Sequence, residues 1–298
     1  MPIDWNARMV SEGYLAYHPN PKKPDIQLPP GACDSHCHVF GPGDLFPYAP
    51  TSSYIPVDAS AETLRARHDH LGIEKAVLVQ ASCHGTDNSA MLDALDKFPD
   101  QYRGVAIVAP DISNAALETM HEAGVRGVRF NFVKRLRARQ SETDRQRIIE
   151  KISRLGWHVV VYFEPEDLPD IAAFLRDAPL PIIIDHMGRV PVEKGVQSAE
   201  FARLAALIED EKYWIKVSCP ERLSRQGPPY ADVDDVARRL LELAPHRTLW
   251  GTDFPHPNMK SHMPDDGLLV DRLAAICPTN EALRQLLIDN PNRLYWSD

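Results

Sequence analysis

Eight short apolar runs recur along the chain, and each is followed by helical patterning before the next begins. Runs such as AVLVQ, VVVYF and PIIID are continuous rather than alternating, as expected of strands covered on both faces. Strand–helix alternation of this kind implies a parallel sheet. The strands are expected at Ala32–His38, Lys75–Gln80, Gly104–Val108, Gly127–Phe132, His158–Phe163, Pro181–Asp185, Trp214–Val217 and Thr248–Thr252. Helices are expected over Ala61–Leu71, Ser89–Phe98, Ala115–Ala123, Glu142–Leu155, Leu168–Arg176, Ala199–Glu209 and Asp232–Leu243, with Gly267–Ile276 and Glu281–Asp289 closing the chain. Eight such units in 298 residues, with no Pro/Ser/Gly linker dividing them, fit a (β/α)8 barrel better than a doubly wound sheet. Residues 1–31 are polar and Pro-rich, and read as an irregular arm ending at Pro29-Pro30-Gly31. Residues 32–298 then form one barrel domain.

The charge balance limits the ligand. The net charge is −9 and no basic run is long enough for a general nucleic-acid surface. An anionic ligand would need a local cluster of Arg to overcome that field. Five Cys without a repeated metal-type spacing suggest reduced thiols. The segment MPIDWNARMV lacks the apolar core of a signal peptide, and no apolar run reaches the ~20 residues of a membrane helix. A cytoplasmic protein that engages neither nucleic acid nor membrane is the expectation, with its oligomeric state left open.

In a barrel the strand C-termini carry the chemistry, so the polar residues there are the candidates. Strand one brings His36 and His38, whose i, i+2 spacing puts both on one side. Imidazoles so placed suit Zn or Mn, or a structural hydrogen-bonded pair. Strand two leads to Ser82, a ligand contact or a turn residue. Strand four carries Arg129, with Arg135 just beyond. An Arg in a barrel strand is costly unless paired. The adjoining loop, KRLRAR, offers no acid, so a cationic pocket is preferred over an ion pair. Tyr162 closes strand five, either as a ligand donor or as a core aromatic. His186 follows strand six, and Arg222 follows strand seven. Cys219 has no His in its own motif to activate it. Strand eight runs into LWGTDFPHPN, bringing Asp253, His256 and Asn258; a carboxylate there cannot face an apolar core. Asp253 can serve as general base on water, His can polarise a carbonyl, and guanidiniums clamp carboxylates bidentately. Together these residues describe hydrolysis of an ester or lactone that carries carboxylates.

The HxH of strand one, the His after strand six and the Asp after strand eight resemble the amidohydrolase superfamily. GACDSHCHVFGPGDLFPYAP, VLVQASCHGTDN, GVRGVRFNFVKRL, GWHVVVYFE, IIIDHMGR, KVSCPERL with GPPY, and LWGTDFPHPNM with PDDG are similar to its 2-pyrone-4,6-dicarboxylate hydrolase (lactonase) branch. These blocks cover about residues 31–298. Phe254 stands where Trp is expected in close relatives. The resemblance implies a (β/α)8 barrel hydrolysing a pyrone dicarboxylate, reversibly, to 4-oxalomesaconate during breakdown of lignin-derived aromatics. It implies that Asp253 activates water and that His36, His38 and His186 surround the lactone carbonyl. It assigns Arg129, Arg135, Arg222, Tyr54, Ser82 and Tyr162 to the ring and carboxylates.

Superfamily members usually hold a metal, whereas this branch resembles those that work without one. Two ligand positions of metal-bearing relatives are changed: Tyr162 replaces a His after strand five, and Phe130-Asn131-Phe132 replaces a carboxylated Lys in strand four. No cofactor is therefore expected. His36, His38 and Asp253 are the ligands that adventitious Zn or Mn would use. Two rival readings stay open: a metal-dependent hydrolase or decarboxylase acting on another carboxylated lactone or ring, and a non-catalytic binding protein on the same scaffold.

Overall fold

The computed structural model describes residues 11–133 and 140–297. Eight parallel strands follow one another in chain order around the sheet: β1 (Cys33–Cys37), β2 (Lys75–Val79), β3 (Tyr102–Ala106), β4 (Val125–Asn131), β5 (His158–Tyr162), β6 (Ile182–Ile184), β7 (Tyr213–Ser218) and β8 (Thr248–Gly251). The crossover helices are α1 (Ala61–Leu71), α2 (Ser89–Lys97), α3 (Asn114–Glu122), α4 (Glu142–Ser153), α5 (Leu168–Phe174), α6 (Ala199–Ile208) and α7 (Asp234–Leu243), with α8 (Asp266–Asp271) after β8. This is the (β/α)8 barrel that the alternation predicts. No helix among the described residues is long and apolar enough to cross a membrane.

Local chemistry starts and stops these helices where the sequence signals it. The Ser60 hydroxyl caps α1, which ends on Gly72 in the left-handed region at φ 81°. Ser141 and Asp144 form a reciprocal capping box on α4. The expected helix at Gly267–Ile276 is broken instead into Asp266–Asp271 and Leu273–Ile276, and the last one is divided by a π-helical turn at Gln285–Asp289.

Parity along the strands decides which side chains enter the barrel. The inner cluster holds Cys33, Val77, Val79, Val105, Val160, Ile183, Trp214 and Leu249, with Tyr295 from the last helix packed against them. Its strand members run from Cys33 at the start of β1 to Val79 at the end of β2, so apolar packing fills much of the barrel interior. Continuing with the same parity, Tyr162 follows Val160, Asp185 follows Ile183, Lys216 and Ser218 follow Trp214, and Asp253 follows Leu249. Val128 and Phe130 lie in the outer core, which turns Arg129 inward.

β1 breaks the rule through an irregularity in its register with β2 between Asp34 and Cys37. Cys33 sits in the inner cluster, yet Cys37, of the same parity, sits in the outer one. A bulge re-aims the residues beyond it, and here it brings His36 and His38 inward. β1 and β8 close the barrel at this point. Asp253 N–H donates to His36 C=O (2.8 Å), and His38 N–H donates to Phe254 C=O (2.8 Å). The Asp34 carboxylate, turned outward, accepts from Thr252 N–H (3.1 Å) and from its hydroxyl (2.5 Å). Gly251 permits this closeness, since a Cβ there would lie 2.6 Å from His36 N.

Candidate active site

A cavity opens at the C-terminal ends of the strands. Its wall includes His38, Tyr54, Ser82, Arg129, Tyr162, His186, Arg222, Asp253 and Asn258. The chain thus brings together nine of the residues singled out from sequence. Arg135 lies outside the described residues. His36 is fully buried and sits one layer beneath the cavity, with Nε2 3.4 Å from Asp253 Oδ1.

Backbone geometry marks the same place. His186, Cys219 and Asp253, just beyond β6, β7 and β8, adopt positive φ of 52°, 55° and 66°. Such strain persists only where the surroundings over-determine it, and it clusters at functional sites.

Two buried charge centres organise the site. In the upper one, Arg222 donates from one terminal nitrogen to Asp253 Oδ2 (2.7 Å) and to Pro257 C=O (2.7 Å). His38 Nδ1 donates to Val79 C=O (2.6 Å), and its Nε2 meets Asp253 Oδ1 at 3.1 Å. A carbonyl only accepts, so the second contact is a hydrogen bond only when both ring nitrogens carry protons. Burial opposes ionisation of Asp253. The Arg222 charge and the His38 hydrogen bond outweigh it and hold the carboxyl well below its usual range.

The lower centre was not foreseen. Asp185 receives Arg129 Nε (3.0 Å) and a terminal guanidinium nitrogen (2.9 Å) on Oδ2. Its Oδ1 lies 3.3 Å from Lys216 Nζ and 3.2 Å from His36 Nδ1. Lys216 Nζ is also 3.0 Å from His36 Nδ1. Burial disfavours the Asp185 anion, but Lys216, His36 and Arg129 keep it well below the usual range. Burial, reinforced by the Lys216 charge, lowers His36 to about 3. Burial likewise lowers His186 well below its ordinary value. Both imidazoles are neutral near pH 7.

Several sequence readings change here. Arg129 has an acid after all, supplied by the end of β6 rather than by the neighbouring loop, and it lines the cavity as a paired cation. Tyr162 lines the cavity and keeps its own O–H to donate. Its hydroxyl accepts from Arg189 (2.6 Å), which also pairs with Glu164 (2.8 Å). Cys219 does have a His beside it, since His186 Nε2 is 3.8 Å from its Sγ. Burial still pushes that thiol well above its usual range, so it stays protonated. His186 is oriented from below by Ser218, whose Oγ is 2.8 Å from Nδ1. His256 lies outside the cavity wall and pairs with Asp266 (2.8 Å).

The ligand atoms of His36, His38 and Asp253 lie within 4.8 Å of one another, close enough to share a cation. The arrangement around them does not suit one. A ligating His normally donates its second N–H to an acceptor. His38 does so, but His36 Nδ1 is shared between the Asp185 carboxylate at 3.2 Å and the Lys216 ammonium at 3.0 Å, which has nothing to accept with. Asp253 is already neutralised by Arg222.

The amidohydrolase family model matches residues 33–296. The chain is 53% identical over 295 residues to the 2-pyrone-4,6-dicarboxylate hydrolase of Comamonas testosteroni, covering 96% of this chain and 97% of that one. It is 36% identical to the 4-sulfomuconolactone hydrolase of Hydrogenophaga intermedia, over 94% of this chain and 92% of the relative. A crystal structure of a Pseudomonas putida protein described as a 2-pyrone-4,6-dicarboxylic acid hydrolase superposes with a TM-score of 0.77. It shares 32% identity, over 90% of this chain and 98% of that one.

Proposed function

The chain belongs to the amidohydrolase family, and from that premise we propose that it hydrolyses 2-pyrone-4,6-dicarboxylate to 4-oxalomesaconate, reversibly, in cytoplasmic breakdown of lignin-derived aromatics. The observation that carries this reading is one cavity containing both a buried carboxylate, Asp253, and two guanidiniums, Arg129 and Arg222. The extent of the likeness to the Comamonas enzyme supports the choice of lactone.

In this reading the pyrone's carboxylates lie against Arg129 and Arg222, with Tyr54, Ser82, Tyr162 and Asn258 bordering the ring; Arg135 belongs to the same set by sequence. Water adds to the lactone carbonyl as Asp253 takes its proton. The oxyanion that forms is stabilised by an N–H donor from His186 and, when both its ring nitrogens carry protons, by His38 Nε2. The ring C–O bond then breaks, and the enol oxygen that leaves takes the proton back from Asp253. His36 acts beneath Asp253, holding it in place.

The proposed reaction needs no metal. The support is the chemistry of the donor set: a His36 nitrogen facing an ammonium, and an Asp253 already bound to a guanidinium. The test is loss of pyrone absorbance with purified, metal-stripped protein, run beside a carboxylate-free pyrone and 4-sulfomuconolactone. Turnover of the dicarboxylate, with little of the carboxylate-free ring, is expected. No dicarboxylate turnover would sink the assignment, and preference for the sulfonated lactone would move the chain to that activity.

A further inference from the structure

Lys216 is fully buried in the barrel interior, and neither the resemblance nor the proposed reaction gives it a role. A lysine there is expensive unless something needs its charge. It lies on β7 between Trp214 of the inner apolar cluster and Ser218, which supports His186. Its Nζ has two close neighbours in the site, His36 Nδ1 (3.0 Å) and Asp185 Oδ1 (3.3 Å).

We propose that Lys216 is a positioning residue that fixes the tautomer of His36 and thereby keeps divalent metal out of the site. An ammonium has donors and no lone pair. Beside it, His36 Nδ1 must be the acceptor, so the single proton of the neutral ring sits on Nε2. That N–H lies 3.4 Å from Asp253 Oδ1 without a hydrogen bond to it. The same proton occupies the lone-pair direction that a metal shared with His38 and Asp253 would require.

Without Lys216 the preference reverses. Asp185 Oδ1 lies 3.2 Å from His36 Nδ1 and only accepts. It would draw the proton to Nδ1, forming the carboxylate–histidine pair that supports many metal ligands. His36 Nε2 would then present a lone pair beside His38 Nε2 and Asp253 Oδ1, whose mutual closeness is already suitable. One buried cation thus selects between a proton-based and a metal-capable version of the same residues.

Nitrogen-15 NMR of histidine-labelled protein reads the tautomer directly, with His36→Gln identifying the signal. In the unsubstituted protein we expect a protonated Nε2 and a bare Nδ1. In Lys216→Met, and in the shape-preserving Lys216→Gln, the proton should move to Nδ1. Calorimetric titration with Zn²⁺ should then find one site in these variants at least tenfold tighter than in the unsubstituted protein, the lower end of what outer-sphere partners contribute. That site should vanish when His38→Gln is added.

A His36 already protonated on Nδ1 in the unsubstituted protein overturns the proposal, whether or not the variants fold. So does equal Zn²⁺ affinity with and without Lys216. Neither measurement involves substrate, so failure of the pyrone assay and failure of this inference are separate results. Where turnover is measured, Lys216→Met should lower kcat with little change in KM, because Lys216 does not line the cavity.

Discussion

Asp185→Asn tests the lower charge centre most severely. The substitution keeps the shape of a fully buried side chain and removes the charge on which Arg129, Lys216 and His36 converge at 2.9, 3.3 and 3.2 Å. At an effective dielectric of ~20, each cation at about 3 Å is attracted by roughly 5 kcal/mol, and desolvation of the three ions offsets most of that. The loss on breaking the centre is therefore set by what remains: two buried cations without a counter-charge, worth about 3–5 kcal/mol. At roughly 2–4 °C per kcal/mol for a large domain, Tm should fall by about 6–20 °C. A control is Asp93→Asn, which breaks a half-exposed pair with Lys97 at 2.8 Å and should cost less than ~1 kcal/mol. The pH dependence follows from sign. Asp185 is depressed in the folded protein, so its contribution is present in full above the unfolded carboxyl value of about 3.9 and fades as pH falls through the folded value. The gap between unsubstituted protein and variant should be constant near neutrality and narrow only in acid below about pH 4. Guanidinium unfolding midpoints at pH 7 and in that acid window measure it. A loss under ~1 kcal/mol at neutral pH would show that Asp185 is not the counter-charge of both cations.

Asp253→Asn should abolish pyrone hydrolysis while preserving binding, since the amide keeps the shape but takes no proton from water; near-normal turnover would place the base elsewhere. Stripping with chelators should leave activity unchanged, and a metal lost with activity and restored with it would reverse that reading. Arg222→Met should lower kcat/KM on the dicarboxylate by a factor corresponding to about 2–5 kcal/mol, with Arg222→Lys also impaired because the planar fork is gone. The same variants should lose far less on a carboxylate-free pyrone, and equal losses on both substrates would make Arg222 structural.

The fold was readable because covered parallel strands leave a plain trace. IIIDH and VVVYF have no polar alternation, and a capping Ser or a terminal Gly marks several helix boundaries. The members of the site were readable for a related reason: a His, Arg or Asp beside a buried strand end has few uses other than a polar cavity. What escaped was pairing. Arg129 and Asp185 are 56 residues apart in the chain, so the loop beside Arg129 carries no trace of its acid. For Lys216 the signal lies in WIKVS, a lysine of the same parity as an inward tryptophan. His36 looked equivalent to His38 by spacing. Their difference, one on the wall and one beneath, depends on Lys216 and Asp253 arriving from β7 and from the loop after β8.

The two charge centres bear on how an acidic protein could hold a dianionic lactone and still keep a base ready. Neither Arg129 nor Arg222 is bare: each already has a carboxylate of the protein. This keeps the guanidiniums fixed and solvated by the fold, so that little reorganisation accompanies binding. For Arg129 the arrangement is static, because Asp185 has no contact with the cavity and Lys216 supports it from behind. Arg222 differs, since its partner is the proposed base itself. A carboxylate bonded at 2.7 Å to a guanidinium is a weak base. A substrate carboxylate drawing part of that guanidinium toward itself would loosen the hold on Asp253 and raise its basicity at the moment a lactone is present. Arg222 then links occupancy to activation, which is why its loss should be felt in kcat as well as in KM, while Arg129, whose acid takes no part in the proton transfer, should act through binding.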